Sequence, residues 1–161
     1  MPAPSSSAGP ARMALFSRRR LSPGEIALAG GIFADSLDWE RVRLFQGPAL
    51  NFGAMVPAGA TIVFAGWRAA ADFAEAGLEE QGWLVHELAH CWQAQRGRVL
   101  AVAKLSALGR GAYRPPRGAP FAAMNIEAQA EIARLLFLAR RGGNCAPFAR
   151  AELEDLWPVK A

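Results

Sequence analysis

The chain has 161 residues and two cysteines, which fits a single domain without a disulfide framework. Apolar residues make up 52% of it, enough for a core, yet no apolar run approaches the ~20 residues that a membrane-spanning helix needs. The net charge of +4 comes mainly from arginines scattered among loops and helix ends; with no recognition-helix or aromatic-platform motif beside them, a nucleic-acid partner is not expected.

Met1 to Pro10 is a low-complexity run of Pro, Ser and Ala, and Arg18-Arg19-Arg20 follows soon after. Residues 1–20 therefore read as a disordered basic N-terminal segment. The charges follow the short apolar Met13-Ala-Leu-Phe16 instead of preceding an apolar stretch, which is the wrong order for a secretory signal. The expected location is the cytoplasm, or outside it by a route that needs no cleaved signal.

Residues 21–161 read as one mostly helical α+β domain. Ser22-Pro23-Gly24-Glu25 has the serine, proline and glutamate of a helix start, and that helix runs to about Phe33. Val42 to Phe45 alternates like a strand until Gly47-Pro48 breaks it. Met55 to Gly59 is a turn. Thr61-Ile-Val-Phe64 is a second short strand, placed in a small sheet beside the next helix, where its edge could pair with an extended peptide.

That next helix, about Leu78 to Gln95, carries His86, Glu87 and His90 in the order H-E-x-x-H. Two imidazoles four residues apart project from one helix face and suit two corners of a tetrahedral zinc ion, with the intervening carboxylate placed to take a proton from water. At ~100° per residue, Gln93 shares the histidine face, while Leu84, Val85, Leu88, Cys91 and Trp92 lie opposite and can pack on a core. Glu87 is the one charge between Trp83 and Trp92. A lone carboxylate on so apolar a helix is costly unless a cation compensates it.

The chain has only two histidines, and the motif uses both, so a third ligand must be a carboxylate or a thiolate. The candidates downstream are Glu127, Glu131, Glu152, Glu154 and Asp155, with Cys91 and Cys145 as thiols. Cys91 falls on the apolar side and reads as a reduced core thiol. Helices are expected over Val99–Leu108, about Ala122–Arg141 and Ala146–Leu156, with an irregular Tyr113–Pro120 loop between the first two. On the second of these helices Glu127 and Glu131 stand at i,i+4, where like charges repel and a nearby cation relieves them. Glu127 reads as the metal ligand and Glu131 as the acceptor for a ligand imidazole, with Glu131 itself as the alternative ligand. A solvated helix face on which Arg134 pairs with Glu131 would show the same spacing.

Four segments together resemble the bacterial DUF4157 and Vgr-related group of zinc metallopeptidases. They are Leu21-Ser-Pro-Gly-Glu-Ile-Ala-Leu-Ala29 with Leu37-Asp-Trp-Glu-Arg-Val-Arg43, then Gly59-Ala-Thr-Ile-Val-Phe64, Leu84-Val-His-Glu-Leu-Ala-His-Cys-Trp-Gln93 and Asn125-Ile-Glu-Ala-Gln-Ala-Glu-Ile-Ala133. The chain departs from the group at Ala128, where glutamine is usual, and at Leu135-Leu136, where an acidic residue is frequent. The resemblance implies a zincin-like fold of the glutamate-zincin type, Glu127 as third ligand, Glu87 as general base, and an association with type VI secretion or toxin systems and their spike proteins.

The expected function is thus a zinc-dependent peptidase acting on a peptide or protein. Tyr113, the only tyrosine, is a candidate for stabilising the oxyanion of the transition state, although a lone loop tyrosine more often only packs. The alternative is a zinc-stabilised adaptor or structural module of a secretion apparatus, using the same ligands with little turnover.

Overall fold

The computed structural model describes residues 9–48, 54–56, 60–98, 100 and 113–160. Its first helix, α1 (Pro23–Phe33), starts on a reciprocal cap: the Ser22 hydroxyl accepts the Glu25 N–H and the Glu25 carboxylate accepts the Ser22 N–H. Two donors that the helix leaves unsatisfied are thereby paired. Glu25 is fully buried and does more than cap. It accepts the Phe73 N–H at 2.8 Å, and both its oxygens meet the Arg19 guanidinium at 2.7 Å.

This clamp corrects the expectation for residues 1–20. From Ala11 onward the segment packs on the domain: Met13 is buried, its N–H donates to Ala69 O, and Ala11 O accepts from Ala71 N–H. Residues 1–8 lie outside the described residues. The arginine run reads as solvated because the contacts that hold its acceptors are remote in sequence: Glu25 is fixed by the Phe73 N–H, 48 positions on, and Arg20 meets Glu40, 20 positions on. Arg19 finds Glu25 and Arg12 finds Glu80.

Four short strands, β1 (Arg18–Arg19), β2 (Arg43–Gln46), β3 (Ala54–Met55) and β4 (Thr61–Phe64), form one sheet in the order β1-β2-β4-β3. β2 and β4 are parallel, with Leu44 opposite Ile62, and the outer pairs are antiparallel. Alternation sets Leu44, Gln46, Ile62 and Phe64 inward. β2 begins one residue later than its pattern suggests. Half of the edge expected at Thr61–Phe64 is taken, because β3 pairs with Val63 and Phe64. On that side of the sheet the outer strand is β3.

The helical layer holds α2 (Leu78–Gln95), α3 (Ile126–Arg140) and α4 (Arg150–Leu156). α2 and α3 pack most extensively of all elements, and Gly82 permits their close approach. A Cβ at Gly82 would stand 3.2 Å from Leu138 Cδ2 and 3.4 Å from Arg134 Cγ. α2 ends before Gly97, whose φ of 84° is a left-handed position that favours glycine. An aromatic cluster closes the far end of the core: Trp157 lies 5.3 Å from Trp92, 5.4 Å from Phe121 and 5.7 Å from Phe33. Its indole N–H donates to Ile32 O at 2.7 Å.

α3 starts four residues later than expected, because a separate single turn at Phe121–Ala123 precedes it and Asn125 caps it by accepting the Ala128 N–H. α4 likewise starts at Arg150, after Pro147 interrupts the segment from Ala146. The helix expected over Val99–Leu108 lies outside the described residues. The mostly helical α+β architecture is as the sequence pattern indicates.

Replacing Glu25 with alanine is expected to cost about 3 kcal/mol, because it strands a half-buried guanidinium and a buried N–H at once. Urea unfolding would report this as a lower midpoint, with Glu25→Gln falling between the mutant and the native chain.

Candidate metal centre

α2 enters the core with one face toward the sheet and the other toward α3. That second face presents His86 and His90, both about 1% exposed. The Asn125 cap puts Glu127 in the first turn of α3, directly across from them. One ligand atom from each of His86, His90 and Glu127 falls within 4.8 Å of the others, so the three could hold a metal ion. Glu127 Oε2 stands 3.3 Å from His86 Nε2 and 3.2 Å from His90 Nε2.

The other nitrogen of each ring is already engaged. His86 Nδ1 lies 3.3 Å from Glu131 Oε2, and His90 Nδ1 lies 2.9 Å from Gln93 Oε1. Both partners are acceptors, which assigns the ring protons to Nδ1 and leaves the two Nε2 lone pairs facing a carboxylate oxygen. Such an arrangement requires positive charge between the three atoms, as protons or as a cation. The spacing is compatible with a cation. Charge-assisted N–H···O bonds run at about 2.7–2.9 Å. Ligand atoms around one tetrahedral zinc-like ion stand roughly 3.3–3.5 Å apart, closer to what is seen. The donor set of two imidazoles and a carboxylate also fits such an ion.

Glu87 lies one residue after His86, nearly buried, and its Oε2 is a buried oxygen without a hydrogen-bond partner among the described residues. An unsatisfied carboxylate oxygen in this position is costly unless the site supplies a proton donor in use. Burial opposes charging His86, but the hydrogen bonds to Glu127 and Glu131 outweigh it, aided by the Glu87 charge, and raise its pKa to about 9. Burial likewise pushes the Glu127 carboxyl upward, and the contacts with His86 and His90 more than reverse this, holding it well below the usual carboxylate range.

Glu131 is brought to the site as the acceptor for His86, and at the same time it pairs with Arg134 at 2.7 Å. The two readings open in the sequence are therefore one arrangement. Tyr113 is also at the site, its ring stacked on His86 with centroids 6.0 Å apart. Its hydroxyl pKa is raised by burial and by the charges of Glu127 and Glu87. Glu152 and Glu154 are elsewhere, paired with Arg117 and Arg140. Cys91 is a free buried thiol, pushed up in pKa by burial, and Cys145 is also free.

Two contributors have partners that the sequence does not show. The amide of Gln93 accepts from His90 and donates to Ile126 O at 3.0 Å and to Gln129 Oε1 at 3.1 Å. Gln129 in turn donates to Phe121 O and Met124 O. One amide pair thus ties His90 to the turn that presents Glu127. Gln93 was placed on the histidine face by helical spacing, which was the available signal. Its partners 33 and 36 positions away were not.

No family model matches the chain. The chain is 38% identical over 131 residues to the type VI secretion system spike protein VgrG2b of Pseudomonas aeruginosa, a match that takes in 74% of this chain and 13% of the relative. It thus spans about an eighth of that protein's length. Among solved structures it is similar to the effector domain of Pseudomonas aeruginosa VgrG2b, at 32% identity and a TM-score of 0.67, over 93% of this chain and 86% of the other. Among the described residues no helix is long and apolar enough to cross a membrane.

Two expectations follow from the geometry. Gln93→Leu removes the acceptor for His90 and should weaken divalent-metal binding about 10- to 100-fold, read by competition with a chromophoric chelator. The metal-free fold gains stability from His86 below its unfolded value of 6.5 and loses it as the pH rises through about 9. A metal ion needs the neutral ring, so its uptake at pH 7.5 should release about one proton and tighten by about tenfold per pH unit up to that value. Calorimetry in buffers of different ionisation enthalpy measures the release.

Proposed function

Since the chain belongs to the family of the VgrG2b effector domain, we propose that it is an effector-type zinc metallopeptidase domain that hydrolyses peptide bonds at the His86–His90–Glu127 site. The observation that carries this reading is Glu87: a buried carboxylate with an unpartnered oxygen, one residue from a three-residue metal-binding group. A site built only to hold a metal for folding has no use for that oxygen.

In this reading His86, His90 and Glu127 would hold zinc. Bound zinc supplies Lewis acidity, which acidifies water toward neutral pH and polarises a carbonyl. Glu131 and Gln93 fix the two rings so that both Nε2 atoms face the site. Glu87 Oε2 takes a proton from the attacking water and passes it to the departing amine nitrogen. Tyr113, whose ring stacks on His86, would donate its hydroxyl to the oxyanion that develops on the attacked carbonyl. The resemblance of the α2 and α3 segments to DUF4157 and Vgr-related peptidases supports the same assignment.

By the same kinship, the domain works with, or as part of, a type VI secretion spike protein and acts where the spike delivers it, so export needs no cleaved signal. A zinc-stabilised adaptor would share the metal ligands but would not depend on Glu87. Glu87→Gln should therefore keep one zinc per chain by elemental analysis and lose hydrolysis of an unfolded protein by at least ~100-fold. Glu127→Ala should lose the metal. Full activity in Glu87→Gln, or native-like zinc affinity in Glu127→Ala, would refute the assignment.

A further inference from the structure

A cavity of about 520 Å³, lined by Arg12, Trp67, Arg68, Glu79, Glu80 and Trp83, opens one helical turn before His86. Its volume falls in the range of small-molecule and side-chain pockets. Trp83 connects it to the site. It precedes His86 by one helical turn, and its ring centroid is 5.6 Å from that of the imidazole. We infer that this cavity is the side-chain subsite of the substrate and takes a bulky apolar residue (leucine, phenylalanine or tryptophan) beside the reacting bond. The inference rests on the peptidase reading and adds a substrate class to it.

The two indoles are held in place without being hidden. Trp83 remains 37% exposed, whereas Trp92 on the same helix is 7% exposed and Trp157 is 1%. Leaving an indole open at the mouth of a cavity forgoes burial that this chain secures for other tryptophans. Arg134 lies over the Trp83 ring at 4.7 Å and is anchored by Glu131 and Glu79. Trp67 packs edge-on against Phe64 at 5.8 Å, and its carbonyl accepts from the buried Gln46 amide at 3.1 Å. Both walls are therefore fixed before any ligand arrives, which lowers the ordering cost of binding.

The charges around the cavity are already partnered within the fold. Glu80 takes Arg12 through two contacts of 2.6 and 3.1 Å. Glu79 is paired with Arg134 at 2.6 Å. Arg68 donates through Nε and Nη2 to Met13 O. A charged side chain gains less from groups whose charge is already matched than it would from an unpaired one. An apolar one covers two indole surfaces and disturbs none of these pairs.

The test uses the zinc-loaded full chain and eight-residue peptides of Gly, Ala and Ser carrying one central Leu, Phe, Trp, Ala, Asp or Lys. Cleavage by the native protein is mapped by mass spectrometry, and binding to Glu87→Gln protein is measured by calorimetry. The expected result is a preference of about 10- to 100-fold for Leu, Phe or Trp over Ala, Asp or Lys, as the burial of one such side chain implies. Trp67→Ala, which leaves the neighbour of His86 untouched, and Trp83→Ala should each reduce that preference to about threefold or less, with circular dichroism and zinc content checking the fold. Cleavage without apolar preference, or a preference unchanged in both variants, would overturn the subsite and leave the peptidase reading standing. Apolar-selective binding that depends on the two tryptophans, without cleavage, would support the subsite and overturn the peptidase reading. Neither binding nor cleavage would overturn both.

Discussion

Two ring nitrogens and one carboxylate oxygen meet among almost fully buried side chains, and this convergence is tolerable only with positive charge among them. The rest of the fold can be understood as what makes that meeting possible. α2 must lie close enough to α3 for Glu127 to reach across, and Gly82 removes the side chain that would hold them apart. The turn before α3 must present Glu127 at the height of His86 and His90. The Gln93–Gln129 amide pair and the Asn125 cap fix that height through main-chain contacts. The sheet and the aromatic cluster around Trp157 then bury the opposite faces of the helices. Among the described residues, positioning therefore comes from packed helices and satisfied amides.

The legible part of this architecture was local. The cap at Ser22, the limits of α1, the β4 run and both ends of α2 follow from short-range rules about capping, alternation and helix period. The pairing of the motif helix with Glu127 was also legible, because the chain has only two histidines and few carboxylates downstream. What escaped was decided at long range. Residues 11–20 look like a solvated basic tail, but Arg19 meets a carboxylate that is itself pinned by Phe73, and only the folded chain brings those together. The pairing of β3 on β4 depends on a two-residue strand too short to leave a periodic trace. Gln93 carries no signature of its role, since its amide gains meaning only from Ile126 and Gln129.

Glu131 shows how one residue can satisfy a bland and a functional pattern at once. Its two oxygens divide the work, one toward His86 and the other toward Arg134. Arg134 then extends to Glu79 and lies over Trp83. A network of this kind holds an imidazole more firmly than a single carboxylate, because each group that could swing away is held from a second side. It also links the orientation of His86 to the indole that walls the neighbouring cavity. The chemistry at the metal-binding group and the shape beside it are thereby set by the same few side chains.

The composition of the chain narrows the choice between a closed structural site and an open one. Zinc sites that serve folding are usually closed by four protein ligands, whereas catalytic ones leave a position for water or substrate. Every His, Cys, Asp and Glu of this sequence falls among the described residues: positions 1–8, 49–53, 57–59, 99, 101–112 and 161 contain none. Among the described residues the gathered set is His86, His90 and Glu127, with neither cysteine in it. The usual ligand types are therefore exhausted at three. A tetrahedral ion held by them keeps one corner for something that is not a side chain of these kinds, and the unpartnered oxygen of Glu87 is the nearby group whose chemistry suits a water in that corner.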